Sequence, residues 1–112
     1  MTILAQLGSQ SFNPQDRDIP FTVAVGATRV QITFTHGDWP EGPVLQFVPV
    51  WGGVAAGATQ IGGGPLRDKA GNPIGGTRET AINVAKPPGR TSGTVQVRVL
   101  QTFTSAIRVE SF

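Results

Sequence analysis

The one cluster of residue types that could support acid–base or metal chemistry runs from His36 to Glu41 as His-Gly-Asp-Trp-Pro-Glu. At this spacing His36, Asp38 and Glu41 could act as a general acid and base or hold a metal ion. Glycine, aspartate and proline are also the usual residues of turns between strands. His36 is the only histidine of the chain, and a metal site would want more ligands than this cluster supplies. We therefore expect a turn here, with no catalytic and no metal-binding residues, and a protein that is not an enzyme.

Two glycine-containing segments could bind ligands of other kinds. Gly62-Gly63-Gly64-Pro65 invites comparison with phosphate-binding loops, but neither the Lys-Ser/Thr pair nor a helix follows it. Asp68 and Asn72 flank a glycine and could contribute to a calcium loop. Their spacing matches no EF-hand ligand series and is typical of a hairpin tip. We expect no cofactor.

The cations lie mainly in the second half of the chain, where residues 65–112 carry a net charge of +4 against −2 for residues 1–64. The arginines of that half could line a nucleic-acid surface, and they are Arg67, Arg78, Arg90, Arg98 and Arg108. Such surfaces normally cluster their cations and place aromatic residues between them, whereas the aromatic residues here follow strand periodicity. A basic flank that meets an acidic protein surface is the simpler interpretation, and we expect no nucleic-acid partner.

Trp39 and Trp51 each lie near the end of a predicted strand. An exposed tryptophan there would be a platform for a sugar ring or an anchor of an interface. A buried tryptophan would close the end of a sandwich instead. Both possibilities stay open at the level of the sequence.

Composition removes several classes of protein. The 112 residues include no cysteine, which excludes disulfide frameworks, thiolate zinc sites and thiol catalysis. No stretch approaches the ~18 apolar residues that span a bilayer, and the N-terminus lacks the features of a signal peptide. We expect a product of the cytosol that does not enter a membrane.

Alternation of apolar and polar residues is the clearest structural signal. Val, Ile and Thr number 12, 7 and 12, and such β-branched residues favour strands. The pattern predicts an all-β, single antiparallel β-sandwich over residues 1–112, of the jelly-roll or Ig-like kind. Residues 21–25, through Phe21, Val23 and Val25, and residues 29–35 are expected to pair as adjacent strands with one buried face. In the C-terminal strands the alternation places Val95, Val97 and Val99 on one face, and Ile107 and Val109 on one face. The seven predicted strands lie near residues 3–7, 21–25, 29–35, 44–51, 80–86, 95–100 and 107–110.

Two segments depart from this regular pattern. Residues 52–78 hold 11 of the 24 glycines and prolines and are expected to form a long Gly-rich loop. Residues 1–20, with Gly8, Asn13-Pro14 and Pro20, are expected to form an extended N-terminal arm that reaches a neighbouring molecule. Pro49 cannot donate to a ladder and predicts that residues 44–51 form an edge or bulged strand.

The order of these features resembles that of small β-sandwich virion proteins of tailed bacteriophages, especially head decoration or cement proteins. The residues that carry the resemblance are Trp39-Pro40, Gly52-Gly53, Gly62-Gly63-Gly64-Pro65, Asp68-Lys69-Ala70-Gly71-Asn72-Pro73 and the valine-alternating C-terminal strands. The resemblance implies a structural role on the capsid surface of a virion, after synthesis in the host cytoplasm. The implied partners are the major capsid protein and other copies of the chain, with a trimer favoured. The alternative is a carbohydrate-binding or adhesive module of a phage tail or baseplate, which an exposed Trp39 or Trp51 would favour.

Overall fold

Two antiparallel sheets pack face to face in the computed structural model, which describes residues 2–37, 39–55, 57–63, 67–72 and 74–112. The strands of this part of the chain are β1 (Thr2–Phe12), β2 (Asp16–Thr22), β3 (Arg29–His36), β4 (Gly42–Trp51), β5 (Val54–Ala55), β6 (Thr59–Gly63), β7 (Arg78–Ala85), β8 (Ser92–Val99) and β9 (Phe103–Ser111). The predicted all-β antiparallel sandwich is confirmed.

The strand order distinguishes between the jelly-roll and the Ig-like kind of sandwich. One sheet has the order β1-β9-β3-β7, and the other has β2-β8-β4-β5 with β6 also paired to β4. The members of the pairs β1–β2, β3–β4 and β8–β9 lie in opposite sheets, so the chain crosses the sandwich repeatedly. This is the arrangement of a jelly roll in which one strand is divided into β5 and β6.

The core lies between the sheets and follows the alternation of the sequence. On β8, Val95, Val97 and Val99 face inward, and on β9 Ile107 and Val109 do the same. Each of these five side chains is at most 6% exposed. Because successive strand residues point to opposite faces, the polar residues between them reach the outer surfaces. The predicted buried faces of these strands are therefore correct.

The expected N-terminal arm over residues 1–20 is wrong for the described residues, because β1 and β2 are integral strands of the two sheets. β1 pairs with β9, and β2 pairs with β8 from Asp16↔Arg98 to Thr22↔Ser92. The register of β1 shifts between Ile3 and Ala5 and again between Leu7 and Gln10. Each shift breaks the period-two pattern, which is why alternation revealed only a short strand here.

The predicted pairing of residues 21–25 with 29–35 is also wrong. β2 ends at Thr22 in one sheet, and β3 begins at Arg29 in the other. Val23 is buried, with its N–H donated to the Thr91 carbonyl at 2.7 Å, whereas Val25 is 70% exposed in the crossing segment. Alternation specifies one buried face for each strand but not its neighbour. Two strands that lie in opposite sheets can bury their apolar faces in the same core, just as two paired strands can.

The expected loop over residues 52–78 is correct only in part. β5 pairs with the end of β4 through Trp51↔Val54, and β6 pairs with β4 from Gly42↔Gly63 to Phe47↔Thr59. Residues 56, 64–66 and 73 lie outside the described part of the chain.

Pro49 lies in β4, which is an internal strand and not an edge. β4 pairs with β8 without a register shift, including Pro49↔Val95. On the other side of β4, the pairing with β6 extends only as far as Phe47, and the pairing with β5 involves only Val50 and Trp51. Pro49 thus occupies the gap between β5 and β6, where the missing N–H costs little.

Candidate functional site

His36 is a buried structural residue at the end of β3. It is 3% exposed, and its ring stacks on that of Trp39. Nδ1 donates to the Gly37 carbonyl at 2.8 Å, so in the neutral ring Nε2 accepts from the Thr80 hydroxyl at 3.0 Å. Burial lowers the pKa of His36 from its ordinary value of 6.5, and the positive charge of Arg78 adds to the lowering, against the opposing effect of the Gly37 hydrogen bond. Both ring nitrogens are therefore engaged within the fold.

The other members of the His36–Glu41 cluster do not join it in a site. Asp38 lies outside the described residues, and the Glu41 carboxylate points to solvent, 3.6 Å from the Arg67 guanidinium. Within the described ranges no group of three His, Cys, Asp or Glu side chains could hold a metal ion.

The Asp68–Asn72 segment is a tight turn, as the hairpin interpretation predicts. The Asp68 carboxylate accepts the N–H groups of Ala70 and Asn72, each at 2.9 Å, and the Gly71 N–H donates to the Asp68 carbonyl. This carboxylate closes its own turn, which explains the Asp and Asn spacing without calcium. In the candidate phosphate loop, Gly62 and Gly63 end strand β6, while Gly64 and Pro65 lie outside the described residues.

The arginines of the second half do not share one surface. Arg98 forms an ion pair of 3.5 Å with Asp16 on the outer face of the β2-β8-β4 sheet. Arg108 donates to Glu110 on the outer face of the other sheet, and the hydrogen bond to Glu110 raises the pKa of Arg108 above its ordinary value. Arg67 lies beside Glu41, Arg78 begins β7, and Arg90 lies in the loop between β7 and β8.

Both tryptophans are buried, each 3% exposed. Trp39 donates its indole N–H to the Thr104 carbonyl at 3.1 Å and packs edge-on against Phe34 and Phe103. Trp51 packs edge-on against Phe21, with ring centroids 5.2 Å apart. The open question is thereby answered in favour of tryptophans that close the ends of the sandwich.

One end of the sandwich combines cations with exposed apolar side chains, and we call it the basic end. It is formed where β1, β3 and β8 begin and where β2, β4, β7 and β9 finish, together with β5. Its cations are Arg29, Lys86 and Arg90, and its exposed apolar side chains are Ile3, Val25, Val54 and Phe112. Four of the six most exposed large apolar residues of the described chain lie here.

The cations of the basic end are not neutralised. Among the described residues, none of the ion pairs involves Arg29, Lys86 or Arg90. The Arg29 guanidinium lies 4.5 Å from the ring centroid of Phe112, and the Lys86 ammonium donates to the carbonyls of Pro87 and Arg90. Neutral acceptors leave the positive charges uncompensated, so this end attracts anionic groups.

Two concave surfaces open at the basic end. A groove of about 810 Å³ is lined on one side by Ile3 and Leu4 and on the other by Val50 and the Gly52-Gly53 turn, with β2 and β8 residues as its floor. A smaller cavity of about 200 Å³ is lined by Trp51, Val54, Ala55, Pro87 and Arg90. Gly52 has a φ of +57°, and a Cβ on it would lie 2.6 Å from Nη1 of Arg90. Arg90 therefore stands beside the turn that separates the groove from the cavity.

Sequence reasoning did not find this site, because its residues come from every part of the chain. Arg90 drew notice only as one of several scattered cations. Ile3 belonged to the expected arm, and Val25 to an expected buried face. The local signals were the Gly52-Gly53 turn and the Pro87–Arg90 loop, which together place Arg90 beside Trp51.

Comparison with protein-family models and with curated proteins finds no match for this sequence. Within the described residues, no helix is long and apolar enough to cross a membrane. The candidate site therefore rests on its own geometry.

Proposed function

We propose that this protein is a non-enzymatic structural protein of a phage virion that decorates the capsid by binding the lattice of the major capsid protein. The observation that carries the proposal is the basic end, which combines exposed apolar side chains, a large groove and cations without an ion-pair partner in the described part of the chain. Decoration requires a rigid domain with one surface that fits another protein. A β-sandwich with such an end meets that requirement.

The chemistry of the basic end fits a folded protein partner with an acidic surface. Ile3, Val54 and Phe112 are 52%, 63% and 38% exposed at the same end of the sandwich, and a concentration of exposed apolar side chains is typical of interaction sites. Apolar anchors supply most of the affinity of an interface, whereas surrounding charges increase the association rate and fix the orientation. Arg29 and Lys86 hold such surrounding positions. The expected partner surface on the coat protein is acidic and carries apolar side chains at its centre.

The rest of the described surface favours binding over catalysis. The imidazole of His36 is buried and hydrogen-bonded through both nitrogens. Among the described residues, Glu110 carries the one strongly buried carboxylate, and Arg108 neutralises it. A general acid or base needs a titratable group that is free to reach a substrate, whereas both of these groups are buried and already bonded within the protein.

The alternative, a carbohydrate-binding module of a tail or baseplate, depended on an exposed Trp39 or Trp51 as a stacking platform. Both rings are buried, so neither offers a face to a sugar. Jelly rolls occur in viral capsid proteins and in lectins alike, and a fold does not imply a function. The exposed apolar and basic residues of the basic end support a protein partner.

The proposal includes the location and the assembly of the protein. It places the chain on the outer surface of the capsid after synthesis in the host cytoplasm, as a homo-oligomer with a trimer favoured. Light scattering coupled to size-exclusion chromatography will measure the mass of the free protein. A mass three times that of the chain is expected, and a monomer at all concentrations contradicts the trimer.

The test of decoration uses purified particles of the phage that encodes the chain. We expect mass spectrometry to find the protein in amounts comparable to the coat protein, and electron microscopy to place it on the head. Its absence from particles, or a position confined to the tail, overturns the proposal.

A charge-reversal pair tests whether the basic end makes the contact. Particles that lack the protein are incubated with wild type or with the double variant Arg29→Glu and Lys86→Glu, and bound protein is quantified. The double variant is expected to bind at least tenfold more weakly because it repels an acidic surface. Arg98→Glu, on the outer face of the other sheet, is the matched control and should bind as the wild type does. Equal binding by all three proteins contradicts the assignment of this surface.

A further inference from the structure

One residue that lines the smaller cavity of the basic end has an unused hydrogen-bond donor. Trp51 is buried, and its indole nitrogen Nε1 has no hydrogen-bond partner among the described residues. Trp39, by contrast, donates to the Thr104 carbonyl. Buried N–H groups are nearly always paired, because burying one unpaired costs its hydration. A buried indole N–H without an acceptor therefore points to an acceptor that comes from outside the chain.

The packing of the indole against β8 indicates that this donor lies on the side of β5. A Cβ at Gly93 would lie 3.1 Å from Cε3 of Trp51, so the Cε3 edge of the ring faces β8. Cε3 and Nε1 lie on opposite edges of an indole ring. Since Gly93 and Val54 pair with Trp51 from its two sides, the Nε1 edge faces β5, where Val54 and Ala55 line the cavity.

A cation lines the same cavity. The Arg90 side chain is exposed and, in the described part of the chain, has no acidic partner. Its loop is held by the Arg90 N–H bond to the Pro87 carbonyl at 3.3 Å and by the Lys86 ammonium bond to the Arg90 carbonyl at 3.3 Å. The guanidinium lies beside Gly52, where a side chain would collide with it. Glycine at this position thus leaves room for Arg90 next to the cavity.

We propose that this cavity is a binding site for a carboxylate group, held by the Arg90 guanidinium and the Trp51 indole N–H. A guanidinium matches the two oxygens of a carboxylate, and an indole N–H adds one neutral donor. Val54, Ala55 and Pro87 form apolar walls for the carbon atoms that carry the group. The volume of about 200 Å³ suits a short acidic chain such as that of glutamate.

The carboxylate can come from a free organic acid or from an acidic residue of a polypeptide, and the experiment separates these sources. The inference rests on the proposed function only where it identifies the polypeptide as the capsid partner. The site itself can be tested on the free protein. Its failure is therefore distinguishable from failure of decoration.

The experiment follows the two indole N–H signals of the ¹⁵N-labelled protein by NMR at constant ionic strength. One arm adds the capped peptide acetyl-Gly-Glu-Gly-amide, a second adds its Gln counterpart, and a third adds glutarate. Trp51→Phe identifies the signals. We expect the Trp51 signal to move downfield and saturate with the Glu peptide, because its N–H gains a charged acceptor, while the Trp39 signal stays because its N–H is already bonded to Thr104. The Gln peptide should produce no saturating shift.

Two variants test the assigned donors. Arg90→Gln should weaken the affinity for the Glu peptide at least tenfold, because a neutral amide replaces the charged donor to the carboxylate. Arg98→Gln removes a charge from the outer face of the β2-β8-β4 sheet, away from the cavity, and should change the affinity less than twofold. Equal shifts with the Glu and Gln peptides, or equal loss in the two variants, overturn the carboxylate site. Tighter binding of glutarate than of the Glu peptide assigns the site to free acids and overturns its role as a capsid contact.

Discussion

The rings of His36 and Trp39 stack with their centroids 3.5 Å apart and their planes 10° from parallel. Trp39 also donates to the Thr104 carbonyl at the start of β9, so the stacked pair joins the end of β3 to the neighbouring strand. Phe103 packs edge-on against Trp39 and stacks on Phe12. These aromatic rings fill the end of the sandwich opposite the basic end. Ring packing thus closes this end, whereas the basic end combines the packing of Trp51 against Phe21 with charge and grooves.

The His36 environment predicts that the protein loses stability as the solution is acidified. The pKa of His36 is lower in the folded state than its ordinary value of 6.5 in the unfolded chain, because burial disfavours the charged ring. The unfolded state therefore binds more protons, and stability rises with pH in this range. The contribution is complete above the unfolded pKa and is lost as the pH falls from about 7 toward the folded pKa.

Urea unfolding between pH 7.5 and 5.5 measures this dependence. We expect the free energy of unfolding to fall with pH in the wild type and to fall less in His36→Gln, which carries no ionisable ring. The same slope in both proteins would show that His36 does not cause it.

The two tryptophans should respond differently to phenylalanine. Trp39→Phe removes a buried hydrogen bond and leaves the Thr104 carbonyl without its donor, a loss of about 1–3 kcal/mol in addition to packing. Trp51→Phe removes an N–H that has no partner in the described structure, so only packing is lost. Chemical denaturation should give the larger destabilisation for Trp39→Phe. An equal or larger loss for Trp51→Phe contradicts the hydrogen-bond assignment.

The N-terminal strand is expected to be essential for folding. Phe12 is 3% exposed and stacks on Phe103 with centroids 4.9 Å apart, so Phe12→Ala should cost about 3–5 kcal/mol. Deletion of residues 1–12 also exposes the edge of β9 and should produce aggregated protein. Circular dichroism and size-exclusion chromatography measure both effects. A soluble, folded deletion variant would restore the arm interpretation.

A glycine in β8 is required by close packing. A Cβ at Gly93 would lie 2.6 Å from Cζ of Phe21 and 3.1 Å from Cε3 of Trp51, so Gly93→Ala must displace buried rings. We expect a loss of about 1–3 kcal/mol in thermal or urea unfolding. Gly8→Ala is the matched control, because nothing lies within 4 Å of its Cβ position in β1. Equal stability of the two variants would contradict the packing of Phe21 against Trp51.

The sequence by itself determined the class of fold and most of the core. Strict alternation in β8 and β9 identified the buried valines and isoleucine, because the period of a strand is set by its backbone. The turn at Asp68–Asn72 was also predictable, since an aspartate carboxylate satisfies N–H groups only a few residues away. These features depend on local geometry, which is determined by residues close together in the sequence.

Tertiary structure decided which strands pair and where the candidate site lies. Alternation predicted a buried face for residues 21–25 and for residues 29–35. A buried face, however, does not indicate which strand lies next to it in the sheet. The shifts in register hid most of β1, which the sequence suggested was an arm. Trp51 and Val54 are already neighbours in the β4–β5 hairpin, but Arg90 joins them only because the crossings of the jelly roll bring the Pro87–Arg90 loop to the same end. Contacts between residues far apart in the chain leave no periodic signal, so the basic end emerges only from the folded structure.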